Sequence, residues 1–392
     1  MNEKDNPIKV LFISHSSGMV GAEKSLLLAL KHINRKRFEP IVALPGCGAL
    51  KTEINRLGIT TYEVKSPWWV RGRGNILKRI LLSGITIMTE IIALLKLRKI
   101  IKRENIDVIY TNTIVNFSGA ILSVIVKTPH IWHIREIIPD NPDLISVLPN
   151  KILFKFISMT SDRIICNSYA TAGQFINCTS NEKITVIYNA VEPQDSKDLD
   201  NSPDIYGIKN TDWLIAVIGT LQERKAQDDA IKACNIARET IPNVKLLLIG
   251  DGNKEYKSYL HGVVSSLNMS DHVLFTGYRN DVPQILPYCT VLLVPSWNEP
   301  FGRVVIEAMA AGIPVIGSNA GGIKEIIQDG VTGYLVTPKD PQKIAEKVAY
   351  LYHHPELAKS MGNEGKNVLI KRFSPQTYIQ SIEEVIQQML PQ

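Results

Sequence analysis

The sequence predicts an α/β chain of two doubly wound, parallel-sheet domains. Three observations carry this. Short β-branched and apolar runs alternate with helical patterns along almost the whole chain. The 392 residues exceed what one hydrophobic core ordinarily serves. A polar stretch, rich in Asp, Ser and Pro between Pro193 and Asn210, is followed by a fresh start of the same strand–helix rhythm at Trp213. The expected organisation is a first domain over 1–193, a linker over 194–210, a second domain over 211–372 and a C-terminal helix over 373–392.

Composition narrows the function classes. A hydrophobic share of 45% with 21% charged residues is ordinary for a globular protein. The net charge of +6 is too modest to argue for nucleic acid, but it suits an anionic ligand or membrane surface. Cys47, Cys166, Cys178, Cys234 and Cys289 are scattered without metal-ligand spacing, which reads as reduced thiols. The N-terminus is polar and enters a strand directly, so the expected location is cytoplasmic, extending to the inner face of the membrane.

The first strand is Ile8 to Ser14, followed by a glycine-containing loop with Gly18 and Gly21 and a helical pattern from Ser25 to Ile33. Such a loop lets backbone approach a phosphate closely, although it is not a G-x-G-x-x-G. Strands follow at Glu39–Leu44, Thr60–Val64 and Asp107–Asn112, the last ending in polar residues. Between them, residues 67–103 open on Pro67-Trp68-Trp69, pass Arg71, Arg73, Lys78 and Arg79, and run as an apolar helical pattern interrupted by Glu90. Lys96, Arg98, Lys99, Lys102 and Arg103 close it. The run is short for a membrane span, and its flanks suit either the plane of an anionic bilayer or a buried helix with a basic end. Thr128 to Glu136 holds His130 and His133, with His133 read as lying at a strand end beside Arg135 and Glu136.

In the second half, the strand Trp213–Gly219 leads into Thr220-Leu221-Gln222-Glu223-Arg224-Lys225 and a helix. Two bases at a strand end near a helix N-terminus can neutralise a diphosphate. Strands at Asn243–Ile249 and His272–Gly277 precede the loop Tyr278-Arg279-Asn280-Asp281. A buried strand at Thr290–Val294 then meets Glu299-Pro300-Phe301-Gly302, and a helix runs from Arg303 to Ala311 carrying Glu307. The free N–H groups of that helix favour an anion, and a Glu on either side of the loop can accept from vicinal hydroxyls.

Glu299, seven residues, then Glu307 resembles the E-x7-E signature of retaining GT-B glycosyltransferases, in particular glycosyltransferase family four. The resemblance continues through Ala310-Ala311-Gly312-Ile313-Pro314, Ala320-Gly321-Gly322 and Asp329-Gly330-Val331-Thr332-Gly333. Val20-Gly21-Ala22-Glu23 is similar to the family's GGAE loop, with Val20 for the first glycine. Gly219 to Lys225 is similar to its G-R-L-x-x-x-K-G segment, with Thr220 in the arginine position and Arg224 available to take over the charge.

The resemblance implies the GT-B fold, two Rossmann-like domains facing across a cleft. It implies transfer of a sugar from a nucleotide-diphosphate sugar to an acceptor hydroxyl, with no catalytic metal or cofactor. His133, Glu299 and Lys225 are the implied catalytic residues. Gly21, Arg224, Lys225, Tyr278, Glu299, Phe301, Gly302, Arg303, Val304 and Glu307 are the implied nucleotide-sugar contacts, with Tyr278 equally readable as a packing aromatic. The implied acceptor is a polysaccharide, lipid-linked sugar or glycolipid, with peripheral membrane contact through 67–103. A GT-B sugar-nucleotide 2-epimerase and a non-catalytic partner subunit are the alternatives.

Overall fold

The computed structural model describes residues 6–71, 76–139, 141, 144–193, 208–209 and 211–390, and the side chains of 71 and 76–83 lie outside that description. The chain divides into two compact units: residues up to Ala190 together with Pro375 onward, and Val191–Ser374. Most of the expected linker, 194–207 and 210, lies outside the described residues.

In the first unit the strands are β1 (Ile8–Ser14), β2 (Phe38–Leu44), β3 (Thr60–Glu63), β4 (Val70–Arg71), β5 (Val108–Asn112), β6 (His130–Ile134), β7 (Ile145–Ser146), β8 (Arg163–Cys166) and β9 (Ile184–Val186). Seven of them form one parallel sheet in the order β3-β2-β1-β5-β6-β8-β9, while β4 and β7 pair as a small antiparallel ribbon. A sheet covered on both faces needs strands that are apolar throughout. β1 meets this with Val10, Leu11, Phe12 and Ile13, each at most 1% exposed. The helices are α1 (Gly21–His32), α2 (Ala49–Arg56), α3 (Ile76–Glu104), α4 (Ser118–Val126), α5 (Asn150–Met159) and α6 (Tyr169–Gly173). α1 starts four residues before the predicted helix because Glu23, three residues in, accepts the Val20 N–H at 3.3 Å and caps that end.

The second unit repeats the design. Its strands are β10 (Trp213–Ile218), β11 (Val244–Ile249), β12 (Val273–Gly277), β13 (Val291–Val294), β14 (Val315–Ser318) and β15 (Gly333–Val336), all parallel in the order β12-β11-β10-β13-β14-β15. The helices are α7 (Gln227–Ala237), α8 (Lys254–Ser266), α9 (Val282–Ile285), α10 (Arg303–Ala311), α11 (Ile323–Ile326), α12 (Pro341–His353) and α13 (Pro355–Arg372). α10 keeps the predicted bounds, stopped by Gly312 in the left-handed conformation.

The last helix, α14 (Pro375–Gln387), belongs to the first unit. Its Tyr378, Ile379, Ile382, Val385 and Ile386 share a core with Phe12, Leu26 and Leu30.

Residues 67–103 depart from the reading of a tryptophan-led basic helix. Trp69 turns inward, stacked on Phe117 at 5.4 Å and donating to Glu90 Oε2 at 2.9 Å. Trp68 donates to the His15 carbonyl. Glu90 therefore faces the core of this unit, and its burial, only partly offset by hydrogen bonds from Ser118 and Trp69, raises its pKa. Arg73 lies outside the described residues, as do the side chains of Arg71, Lys78 and Arg79.

Candidate functional site

In a doubly wound sheet, ligands bind beyond the carboxyl ends of the two strands where the winding reverses. In the second unit those strands are β10 and β13, which neighbour each other at the centre of the sheet. The loops that follow them carry Arg224 and Lys225 on one side and Glu299 to Gly302 on the other. The sheet topology thus brings together side chains about 75 residues apart in sequence.

The contacts are direct. Lys225 Nζ lies 2.5 Å from Glu299 Oε2, and Arg224 NH1 lies 3.3 Å from the same oxygen. Arg224 also donates to the Asn298 carbonyl at 3.2 Å, and the Trp297 N–H bonds the Arg224 carbonyl at 3.1 Å. The three charged side chains are 13–16% exposed. Burial alone would raise the Glu299 pKa, but the two cations overcome it and hold the carboxyl below its ordinary value. Two cations against one carboxylate leave the cluster one positive charge in excess.

Local backbone geometry explains the glycines around it. Lys225 lies over Gly219, where a Cβ would stand 3.6 Å from the lysine Cε. Gly302, with φ +93, turns the chain into α10, which has no side-chain cap and no acid in its first turn. The helix therefore presents the positive end of its dipole at Phe301, Gly302, Arg303 and Val304. Gly322 donates its N–H to the Glu299 carbonyl at 2.8 Å. A Cβ on Gly321 would stand 2.4 Å from the Glu299 carbonyl oxygen, and one on Gly322 would stand 2.4 Å from that of Pro300. The loop holding Glu299 rests on these two glycines.

The remaining predicted contacts of this unit are separate from the triad. Glu307 accepts from Arg303 Nε at 2.9 Å within α10, an i,i+4 pair that leaves it partly exposed. Tyr278 is 70% exposed after β12, which removes the packing reading. Phe301 is buried and meets Phe373, which leaves only its backbone open to a ligand.

In the first unit, Gly21 opens α1, and beyond its chain neighbours and its own helix backbone nothing described lies within 4 Å of where its Cβ would be. His133 differs from the expectation. It lies inside β6, not at its end, and is 0% exposed. Its Nδ1 meets the Tyr110 hydroxyl and, at 3.2 Å, Arg135 NH2. Since the guanidinium only donates, Nδ1 is an acceptor and the ring proton sits on Nε2, which has no partner among the described residues. Burial and the adjacent Arg135 hold its pKa well below the usual histidine value. His130 is buried too, with Nδ1 on the Thr160 carbonyl and Nε2 on Thr111.

The polar group that ends β6 is Arg135, which sequence reasoning treated only as a neighbour. It bonds Asn112 at 2.8 Å, Asn189 at 2.6 Å and the Tyr378 hydroxyl at 2.9 Å. Side chains alternate along a strand, so Arg135 shares the face of His133; that parity was the available signal. Next to it Glu136 accepts from Thr113 Oγ1 and from the Ile114 and Arg135 N–H groups. Thr113, φ +125, is strained for a β-branched residue. A cavity of about 750 Å³ opens elsewhere on this unit, among the loops after β1, β2 and β3, lined by His15, Ser17, Gly48, Lys65, Ser66 and Trp68.

Among the described residues no group of three or more His, Cys, Asp or Glu is placed to hold a metal. The one Asp-x-Asp of the sequence, Asp198-Leu199-Asp200, lies outside them.

Comparisons with known proteins agree with this geometry. The family model "Glycosyl transferases group 1" matches residues 198–368, and "Glycosyltransferase Family 4" matches residues 20–195. An N-acetyl-alpha-D-glucosaminyl L-malate synthase of Bacillus anthracis is 28% identical over 303 residues, covering 75% of this chain and 78% of the relative. An uncharacterized glycosyltransferase of Methanocaldococcus jannaschii is 32% identical over 299 residues, covering 74% of this chain and 78% of its own. Anabaena Alr3699/HepE, solved with UDP, superposes with a TM-score of 0.78 at 26% identity, covering 97% of this chain and all of that one. The same protein with UDP-glucose gives a TM-score of 0.76 at 25% identity and the same coverage. The chain belongs to family 4 of the glycosyltransferases and has the GT-B fold of two Rossmann-like domains.

Proposed function

We propose that this protein is a retaining glycosyltransferase that moves a sugar from a nucleotide-diphosphate sugar, with UDP the foremost nucleotide, to an acceptor hydroxyl in cell-surface polysaccharide or glycolipid assembly. The observation that carries the reading is the Arg224–Lys225–Glu299 cluster at the ends of β10 and β13, beside the N-terminus of α10. A departing diphosphate needs preorganised positive charge, and two cations with a helix dipole supply it without reorganisation. Solved complexes of Anabaena Alr3699/HepE with UDP and UDP-glucose support the donor class.

In this reading the diphosphate replaces the Glu299 carboxylate on Lys225 and Arg224. The carboxylate turns to the sugar hydroxyls, and Glu307 accepts from the ribose. Backbone N–H groups from Phe301 to Val304 approach the phosphate, and Tyr278 lies along the base. The bond from the anomeric carbon to the diphosphate breaks as the acceptor oxygen bonds the same face. The acceptor proton goes to the departing phosphate, so no metal, cofactor or carboxylate base is required. His133, buried and neutral, acts through Arg135 and not on the sugar itself. The acceptor is a polysaccharide, a lipid-linked sugar or a glycolipid, met at the cytoplasmic face of an anionic membrane through residues 67–103.

The test is calorimetry of UDP, GDP and ADP sugars against the purified protein in EDTA, followed by NMR of the product's anomeric configuration. One saturable donor and a retained anomer are expected. Lys225→Ala should fold normally and lose about 10²–10³ in turnover. An inverted product would overturn retention, and unchanged turnover would remove Lys225 from the mechanism. Conversion of the donor without an acceptor would favour the epimerase.

A further inference from the structure

We propose that the outward face of α3, from Ile85 to Arg103, is the surface by which this protein docks on an anionic lipid bilayer. The inference deepens the membrane contact named above and rests on that reading only for the lipid-borne acceptor.

α3 is held by its inner face alone. Ala93, Leu97, Ile100 and Ile101 pack against Leu11, Ile13 and Ile41 of β1 and β2, and Glu90 turns inward to Trp69. The opposite face is apolar and open. Ile85, Met88, Ile92 and Leu95 are 64%, 67%, 49% and 62% exposed, and Ile87 and Ile91 beside them are 54% and 52% exposed. A spacing of three or four residues places the first four in one stripe. Nothing in the core of the first unit requires these six side chains, and a patch of this kind on a soluble chain marks an interaction surface.

The same stripe turns basic further along. Lys96, Lys99 and Lys102 continue it at the same spacing, flanked by Arg98 and Arg103, and all five are exposed. Of the nearby acids, Glu104 is engaged by the Tyr62 hydroxyl and by Arg103 at 3.3 Å, and Glu63, which faces Lys96, is paired with Lys51. The outward face is thus apolar along its first half and cationic along its second, over about 27 Å at 1.5 Å per residue.

That division selects the occupant. In a pair of identical α3 helices, a parallel arrangement would set base against base. An antiparallel arrangement would set each basic half on the partner's apolar half. A bilayer with anionic headgroups meets both halves at once, with acyl chains for the isoleucines and phosphates for the lysines. No described helix is long and apolar enough to cross a membrane, so α3 lies in the plane of the interface.

The experiment is co-sedimentation of the full chain with vesicles of phosphatidylcholine, with and without phosphatidylglycerol. It is run on wild type, on Ile85→Asp/Ile92→Asp and on Lys99→Glu/Lys102→Glu. Calorimetry of UDP reports the second unit's fold, circular dichroism reports the first, and sedimentation velocity reports oligomeric state. Wild type should bind the phosphatidylglycerol vesicles at least about tenfold more tightly than neutral ones, and each variant should lose that binding while staying folded. Wild type that ignores the anionic vesicles would overturn the proposal, as would variants that bind like wild type. A concentration-dependent dimer abolished by the same substitutions would assign the face to a second copy instead. Failure of donor binding with vesicle binding intact would sink the transferase reading and leave the docking surface standing.

Discussion

At the scale of single residues, the site is defined by which anion sits on Lys225 and Arg224. In the structure it is the carboxylate of Glu299, at 2.5 and 3.3 Å. Under the proposed function a diphosphate has to displace that carboxylate before it can use the same cations, so the protein's own acid would compete with the donor. Charge-assisted contacts of this kind are strong and geometrically exacting. Glu299→Gln removes the competing charge and keeps the side chain's shape. UDP alone should then bind about three- to tenfold more tightly, while sugar transfer falls because the amide is a poorer acceptor for the sugar hydroxyls. Titration calorimetry with UDP decides it; weaker UDP binding in the variant would mean Glu299 supports the nucleotide rather than competing with it.

At the scale of elements, the position of that carboxylate is set by two bare backbones beneath its loop. A methyl group on Gly322 would stand 2.4 Å from the Pro300 oxygen and 2.6 Å from the Phe301 Cα, both backbone atoms that cannot yield alone. Gly322→Ala should therefore lift the 299–301 segment, cost about 1–3 kcal/mol of stability and weaken UDP binding in the same variant. Urea unfolding and calorimetry read the two effects, and an alanine tolerated without loss in either would show that the loop is free to shift. This element also marks how far the sequence could be read. Strand ends and the bounds of α10 were legible, because hydrophobic period and turn residues encode them locally, whereas placing Lys225 and Glu299 in one site came from the family resemblance. The depth of His133 was not. Its neighbours read as a strand end, but one further residue of β6 places it wholly inside the sheet, with Arg135 at the rim. The inward turn of Trp69 onto Glu90 was equally hidden, because a Trp–Glu hydrogen bond between β4's approach and α3 has no local signature.

At the scale of the whole molecule, the chain visits its first unit twice. α14 returns there after the second unit is complete, and its Ile379, Ile382, Val385 and Ile386 are at most 6% exposed in that core. Tyr378 adds a hydrogen bond to Arg135, whose buried guanidinium has only neutral oxygens and the His133 nitrogen as side-chain partners. Removing the helix would open a groove lined by Leu26, Leu30 and Phe12 and strip a buried cation of one acceptor. Losing one large buried side chain costs about 2–5 kcal/mol, and a buried cation short of one acceptor costs about 1–3 kcal/mol more. Together these losses rival the entire stability of a typical domain, about 5–15 kcal/mol. Deletion of residues 375–392 should therefore unfold the first unit and spare the second, whose core contains no residue of α14. Limited proteolysis should cut the truncated chain throughout residues 6–190 and leave a resistant fragment covering the second unit. Cleavage spread evenly over both units would mean that they fold as one cooperative body, and the independence argued from their separate cores would fail.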